Sequence, residues 1–346
     1  MSRPASVVAD PAAAPADAAP SARRTAAFAE RAGSAWTLGV LLMLIAAFCL
    51  AAPNFHTKAA WVATGLAATE VMLLAVGEAF VIINRGIDLS VGANLGLSGM
   101  VSGYVMSTML SLPQPLVLTV GLVVALAVGT AAGLVNGLVV TRLNITPFVA
   151  TLGMMGAATG ATQLINNGQE LSSLPPDIFQ IGNHAVLGGW IPIPVLIAAV
   201  VAAGAGYLLH QTRFGQHCLG IGSNPEAAER TGIDVARHTT AVYALAGACA
   251  GLAGYLVMAQ LAAASVTAGQ TDELSAIAAV VIGGVSLFGG RGTIAAAVIG
   301  TLIITVLQTG LVVAQVSSSW QVIAVGVVLV IAVFADQQRL RLARRR

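Results

Sequence analysis

The chain has 346 residues, 57% of them hydrophobic and only 9% charged, with a mean hydropathy of +0.87 and a formal net charge of +2. A soluble domain carries about 25% charged residues, so this composition excludes an ordinary soluble module and places the chain in a membrane. Its three cysteines, Cys49, Cys218 and Cys249, lack metal-ligand or disulfide-framework spacing and read as packing residues or a loop thiol.

In chain order, residues 1–30 are rich in Ala and Pro, show no apolar period, and read as a disordered cytoplasmic tail. They are not a signal peptide, because the first apolar run starts only at Trp36 and continues too long. Ten apolar stretches follow, each about long enough to cross a hydrocarbon core of roughly 30 Å. They are Trp36–Ala52, Trp61–Ile83, Leu89–Met109, Leu116–Val140, Ile145–Ile165, Ile191–Leu209, Thr239–Leu261, Leu274–Phe288, Thr293–Ala314 and Trp320–Phe334. The predicted fold is an all-α polytopic membrane protein of about ten spans, its membrane domain at 31–338 and a basic cytoplasmic tail at 339–346. With both termini cytoplasmic, all fifteen arginines fall inside and only Lys58 falls outside, as the positive-inside rule requires.

Two carboxylates lie within the second span. Glu70 and Glu78 are eight residues apart and face protein or a water-filled cavity, since a charge at mid-bilayer costs roughly 2.5 to 3.5 kcal/mol. The third span opens with Gly86-Ile87-Asp88-Leu89-Ser90-Val91-Gly92, continues through Asn94, and carries Gly96, Gly99 and Gly103. Asp88 can cap this helix and oppose its dipole, and the small residues allow either close helix packing or a solute path along the backbone.

Asn166 to Trp190 forms the long outer loop, with Glu170, Asp177 and a Pro-Pro pair. The inner loop at 212–238 holds the clearest local signal. Asn224 is a good N-cap, Pro225 suits the first helical position, and Glu226 sits at the positive end of the dipole. Ala227, Ala228, Glu229 and Arg230 tolerate helix, and Gly232 can end it in the left-handed conformation. Two turns are unstable alone in water, so the helix is either an ordinary loop element held by this chain or one docked on a partner.

A second polar outer loop, Ala262 to Glu273, ends in Asp272-Glu273, and Asp272-Glu273-Leu274-Ser275 opens the short eighth span with Gly283, Gly284, Gly289 and Gly290. Acid-Leu-Ser thus opens spans three and eight, which run in opposite directions, as an inverted-topology repeat of spans 2–5 and 7–10 would have it. The chain has no Walker-type phosphate loop, HExxH, paired-cysteine zinc pattern or GxSxG elbow, which leaves an enzyme reading, or a metal or cofactor, without chemistry.

Four stretches together carry a resemblance. They are Pro53-Asn54-Phe55; Gly86 to Gly92; Thr212-Arg213-Phe214-Gly215 on through Gly222 to Ala228; and Glu273-Leu274-Ser275 on through Gly283-Gly284, with Ser286 to Gly292 beyond. Over about residues 36 to 336 the chain resembles the membrane-spanning permease subunits of binding-protein-dependent ABC sugar importers of the ribose, galactose and autoinducer-2 type. That resemblance implies a multi-pass protein of the bacterial cytoplasmic membrane, with two permease copies or a pair of related permeases. It also implies an ATPase subunit inside, a soluble sugar-binding protein outside, and no nucleic acid.

By the same resemblance, Arg213, Gly215, Asn224, Pro225, Glu226, Ala227, Ala228 and Gly232 couple to the ATPase. Asp88, Ser90, Gly92, Asn94, Glu273, Ser275, Gly283 and Gly284 belong to the translocation path or its structural motifs. The alternative is an ion-gradient-driven transporter or channel that uses Glu70 and Glu78.

Overall fold

The computed structural model describes residues 20–344, with side chains from residue 36 to residue 334. The tail expected at 1–30 lies outside the described residues as far as residue 19. From Pro20 onward the backbone is already helical, and at the other end the helix runs on through the basic tail to Arg344.

A helix stands at each of the ten apolar stretches: α1 (Pro20–Ala51), α2 (Lys58–Ile83), α3 (Val91–Ser107), α4 (Gln114–Arg142), α5 (Pro147–Ile165), α7 (Ile193–Gln211), α10 (Val235–Leu261), α11 (Asp272–Gly283), α12 (Ile294–Val313) and α13 (Ser318–Arg344). Between them lie a short α6 (Ile178–Asn183), a small antiparallel pair β1 (Ala185–Val186) and β2 (Ile191–Pro192), and two further short helices, α8 (Arg213–Ser223) and α9 (Pro225–Arg230). Among the described residues, six helices, α2, α4, α5, α7, α10 and α12, are long and apolar enough to cross a membrane. The helix expected over Leu274–Phe288 is shorter than expected: α11 has 12 residues, about 18 Å at 1.5 Å per residue, and ends at Gly283.

The two helices at the centre, α2 and α10, are buried on nearly every side, which explains why neither shows an apolar stripe in its sequence. α10 packs on α3 and α4, and α2 packs in the same way on α11 and α12. α3 lies on α4 and α5 as α11 lies on α12 and α13. This correspondence is the packing expected of two repeated halves. The α4–α10 seam depends on small residues. A Cβ built on Gly137 would stand 2.7 Å from the Cα of Thr240, and Gly129 and Gly133 meet the α10 backbone at Gly247 and Tyr243. Backbones this close gain dispersion contacts that no larger residue permits.

Candidate functional site

Two places gather the residues that the sequence singled out. One is the polar segment after α7. Thr212 caps α8, its Oγ1 accepting the Gly215 N–H at 3.4 Å, and Asn224 caps α9, its Oδ1 accepting the Ala227 N–H at 3.1 Å. Gly232, at φ +87°, closes α9 by donating to the Glu229 carbonyl at 2.9 Å, while Ile233 reaches back to Ala228 at 3.2 Å. Arg237 N–H and guanidinium both meet the Asp234 carboxylate, at 3.0 and 3.1 Å, where the next helix starts.

Helix α8 was not legible in the sequence, because Gly215, Gly220 and Gly222 lower its helix propensity. Its glycines mark contact surfaces instead. Gly215 sits on the Leu209 backbone, and Gly222 sits on the Ile83 carbonyl and the Gly290 backbone. Gly290 N–H donates to that same Ile83 carbonyl at 2.8 Å, so the end of α2, the α8 helix and the loop after α11 form one junction. Cys218 is fully buried in it, its thiol 3.4 Å from the Phe80 carbonyl, and burial pushes that thiol up to about 12. Phe214 stacks between Phe80 and His238, at 6.1 and 4.6 Å. On the far side, α9 buries only Ala228 and leaves Glu226, Ala227, Glu229 and Arg230 exposed. Arg213, by contrast, opens α8 and lies at the edge of this platform.

The second place is where α3 and α11 begin. Residues 262–271, read from the sequence as an outer loop, run down beside α3: Ala264 against Gly103, Ala268 against Gly96, and Gly269 against Gly92. From Gly103 to Gly92 is about 16 Å of helix, so the head of α11 lies level with the head of α3 and the two run apart. A Cβ on Gly92 would stand 2.5 Å from Glu273 Oε2. Backbone of this irregular kind inside a membrane bundle is tolerated where it is buried in protein or lines a cavity.

Here a cavity of about 180 Å³ is lined by Gly96 of α3, by Thr159 and Thr162 of α5, and by Gln270, Thr271 and Glu273. Thr271, at φ +72°, and Gly269, at φ +76°, turn the chain into α11. Asp272 and Glu273 then occupy its first turn, where their charge opposes the helix dipole.

The remaining predicted path residues lie outside this cavity. Asp88 accepts the Ser90 N–H at 2.9 Å and the Ser90 hydroxyl at 2.6 Å, Asn136 donates to Ser90 Oγ at 2.8 Å, and Glu78 Oε1 accepts the Asp88 N–H at 3.1 Å. This buried knot fixes the entry to α3, and sequence reading missed Asn136 because a lone Asn in an apolar helix has no local partner. Asn94 donates to the Gly129 carbonyl at 3.1 Å, and Gln308 donates to Ser275 Oγ at 3.2 Å. Gly283 packs on the Ala296 backbone, and Gly284, at φ +106°, ends α11. Glu70 and Glu78 do not share a site, since Glu78 belongs to the Asp88 knot and Glu70 neighbours Asp272.

Residues 63–333 match the family described as "Branched-chain amino acid transport system / permease component". The chain belongs to this family. It is similar to the ribose import permease protein RbsC of Escherichia coli strain K12, at 37% identity over 88% of this chain and 93% of that protein. It is also similar to the D-allose transport system permease protein AlsC of the same strain, at 35% identity over 87% and 90%. The galactose/methyl galactoside import permease protein MglC of Haemophilus influenzae is 32% identical over 77% and 82%. No solved structure matches. The chain is thus a multi-pass membrane permease component and not itself an enzyme.

Proposed function

We propose that the chain forms the transmembrane path of an ATP-driven importer of a neutral sugar in a bacterial cytoplasmic membrane. In this reading its ten helices cross or enter the bilayer with both termini inside, two copies or a related pair form the path, an ATPase subunit docks on α9, and a soluble sugar-binding protein delivers the solute outside. The observation that carries the reading is the α9 platform: a helix too short to persist alone presents Glu226, Ala227, Glu229 and Arg230 outward while Ala228 and α8 fasten it to the chain. Relatives that match along most of the chain are sugar import permeases, which favours a sugar as cargo.

The mechanism follows from how the platform is fastened. ATP binding closes the two ATPase subunits, and each α9 moves with its docking groove. Because α8 is bonded to the end of α2 and seated on Gly290, the displacement passes to α2 and to the loop after α11 rather than being lost in a slack connector. The first leads directly into the head of α3 and the second follows the tail of α11, and a rigid shift there exchanges inward and outward access.

The test is copurification from a strain expressing this chain with its ATPase subunit. Glu226→Arg reverses charge at the positive end of α9, and Ala228→Pro removes an amide past its first turn at a cost of about 3 kcal/mol. Both should fold and insert yet lose the ATPase. Full retention of the ATPase by both variants would leave α9 a mere connector.

A further inference from the structure

The cavity where α3 and α11 begin holds hydrogen-bonding side chains with nothing in the protein to bond. Among the described residues, half-buried Thr159 and exposed Gln270 and Thr271 make no side-chain hydrogen bond, and the half-buried Glu273 carboxylate meets only its own backbone amide, so all four are open to a solute in the cavity. Thr162, on the same wall, is satisfied by the Ala158 carbonyl at 2.8 Å, as a structural threonine in a helix usually is. Uncommitted polar groups that converge on one concave site are the signature of a ligand site rather than of packing.

From this convergence we infer that Thr159, Gln270, Thr271 and Glu273 form a transient contact site for an uncharged, hydroxyl-rich solute, in which Glu273 accepts from a pair of adjacent hydroxyls. The inference rests on the permease reading above and narrows its cargo. Beside the engaged Thr162, the lining offers one carboxylate, one amide and two free hydroxyls, a set that both donates to and accepts from hydroxyl groups. It contains no Lys, Arg or His.

The carboxylate of an amino acid or a phosphate group needs a cation or a free helix N-terminus. Both helix heads already face carboxylates, that of α11 in Asp272 and Glu273 of its first turn and that of α3 in Asp88, two residues ahead of its N-cap. An anionic solute would face Glu273 unpaired, so the site discriminates against branched-chain amino acids and sugar phosphates by repulsion as well as by missing partners. A shallow set of four contacts, only one of them charged, also suits a path that must release its solute.

The test is uptake by cells that express the complete importer and lack their own sugar permeases, with D-ribose, D-allose, D-galactose and D-fructose as probes and L-leucine and ribose 5-phosphate as counter-probes. Wild type should import at least one neutral sugar and neither counter-probe. Glu273→Gln should lower that import about tenfold and Thr159→Val about threefold, as losing a charge-assisted and a neutral hydrogen bond implies. Both variants should copurify with the ATPase at the wild-type ratio, which separates lost contacts from misfolding.

In a chain free of native cysteines, Thr159→Cys should react with a charged, membrane-impermeant thiol reagent. Import within twofold of wild type for both variants, or reaction of Thr159→Cys with lipid-soluble reagents alone, would overturn the site while leaving the permease reading intact. Import of L-leucine and of no sugar by the wild-type chain would instead overturn the sugar reading itself.

Discussion

Gly92, in the first turn of α3, lies directly against Glu273, in the first turn of α11: no Cβ fits between them, and the two helices run apart from that contact. Two helix heads meeting inside a bundle bring together two partial positive charges, which only nearby carboxylates make tolerable. Asp88 on one side and Asp272 with Glu273 on the other supply them. Replacing Gly92 with Val should therefore force the segment at Gly269 and the Glu273 side chain apart, at about 1 to 3 kcal/mol for overpacking. The measurement is thermal unfolding in detergent alongside uptake. Both should fall for Gly92→Val, whereas Gly153→Ala in the interior of α5, where a Cβ meets nothing within 4 Å, should lower neither and can only gain helix propensity.

The buried knot at the start of α3 gives an asymmetric pair of variants. Asp88→Ala strands the Ser90 amide and hydroxyl together, and each buried donor left without its acceptor costs about 1 to 3 kcal/mol. Glu78→Gln keeps an oxygen to accept the Asp88 N–H, and its other oxygen has no partner to lose. Glu78→Gln should transport near the wild-type rate while Asp88→Ala is lost from the membrane fraction. Abolished uptake in a well-folded Glu78→Gln would favour a coupling-ion site at that carboxylate.

Cys218 supplies a pH-dependent readout of the platform. Burial favours the neutral thiol and pushes it up to about 12, so between pH 7 and pH 9 almost none is thiolate. In a chain with the other two cysteines replaced, maleimide labelling of Cys218 should stay negligible and nearly flat across that range. Exposed Ser223→Cys, at the end of the same helix, should label readily and faster as pH rises. Fast labelling of Cys218 would mean that α8 does not sit on α2.

Orientation is tested by the same reagents from the two faces. Ser173→Cys, in the outer loop, should react in intact cells with an impermeant maleimide, and Ser223→Cys only after the membrane is opened. Reaction of both from outside would contradict the placement of the α9 platform in the cytoplasm.

Much of this architecture is legible in the residues alone. Apolar runs locate the helices because a membrane helix must satisfy its own backbone and present apolar side chains throughout. The caps of α9 are readable because Asn224, Pro225 and Gly232 each act on their nearest neighbours in sequence. What escapes is whatever depends on distant partners. Helix α8 looks like a loop, since its glycines make sense only against Ile83 and Gly290. The stretch 262–271 looks like an outer loop, since its polarity gives no sign that it descends along Gly103, Gly96 and Gly92. Thr159 is indistinguishable from Thr162 in sequence, and only the geometry shows that Thr162 is satisfied and Thr159 is not.

In the function proposed above, this chain moves sugar only when driven through α9 by an ATPase. The most direct measurement is accumulation of labelled sugar by proteoliposomes holding the purified chain, with the sugar-binding protein added on the face where it docks and ATP supplied on the other. Accumulation should require the ATPase subunit, the binding protein and ATP together, and should vanish with Glu226→Arg. Accumulation by the chain alone, driven by an imposed proton or sodium gradient, would make it an ion-driven transporter instead.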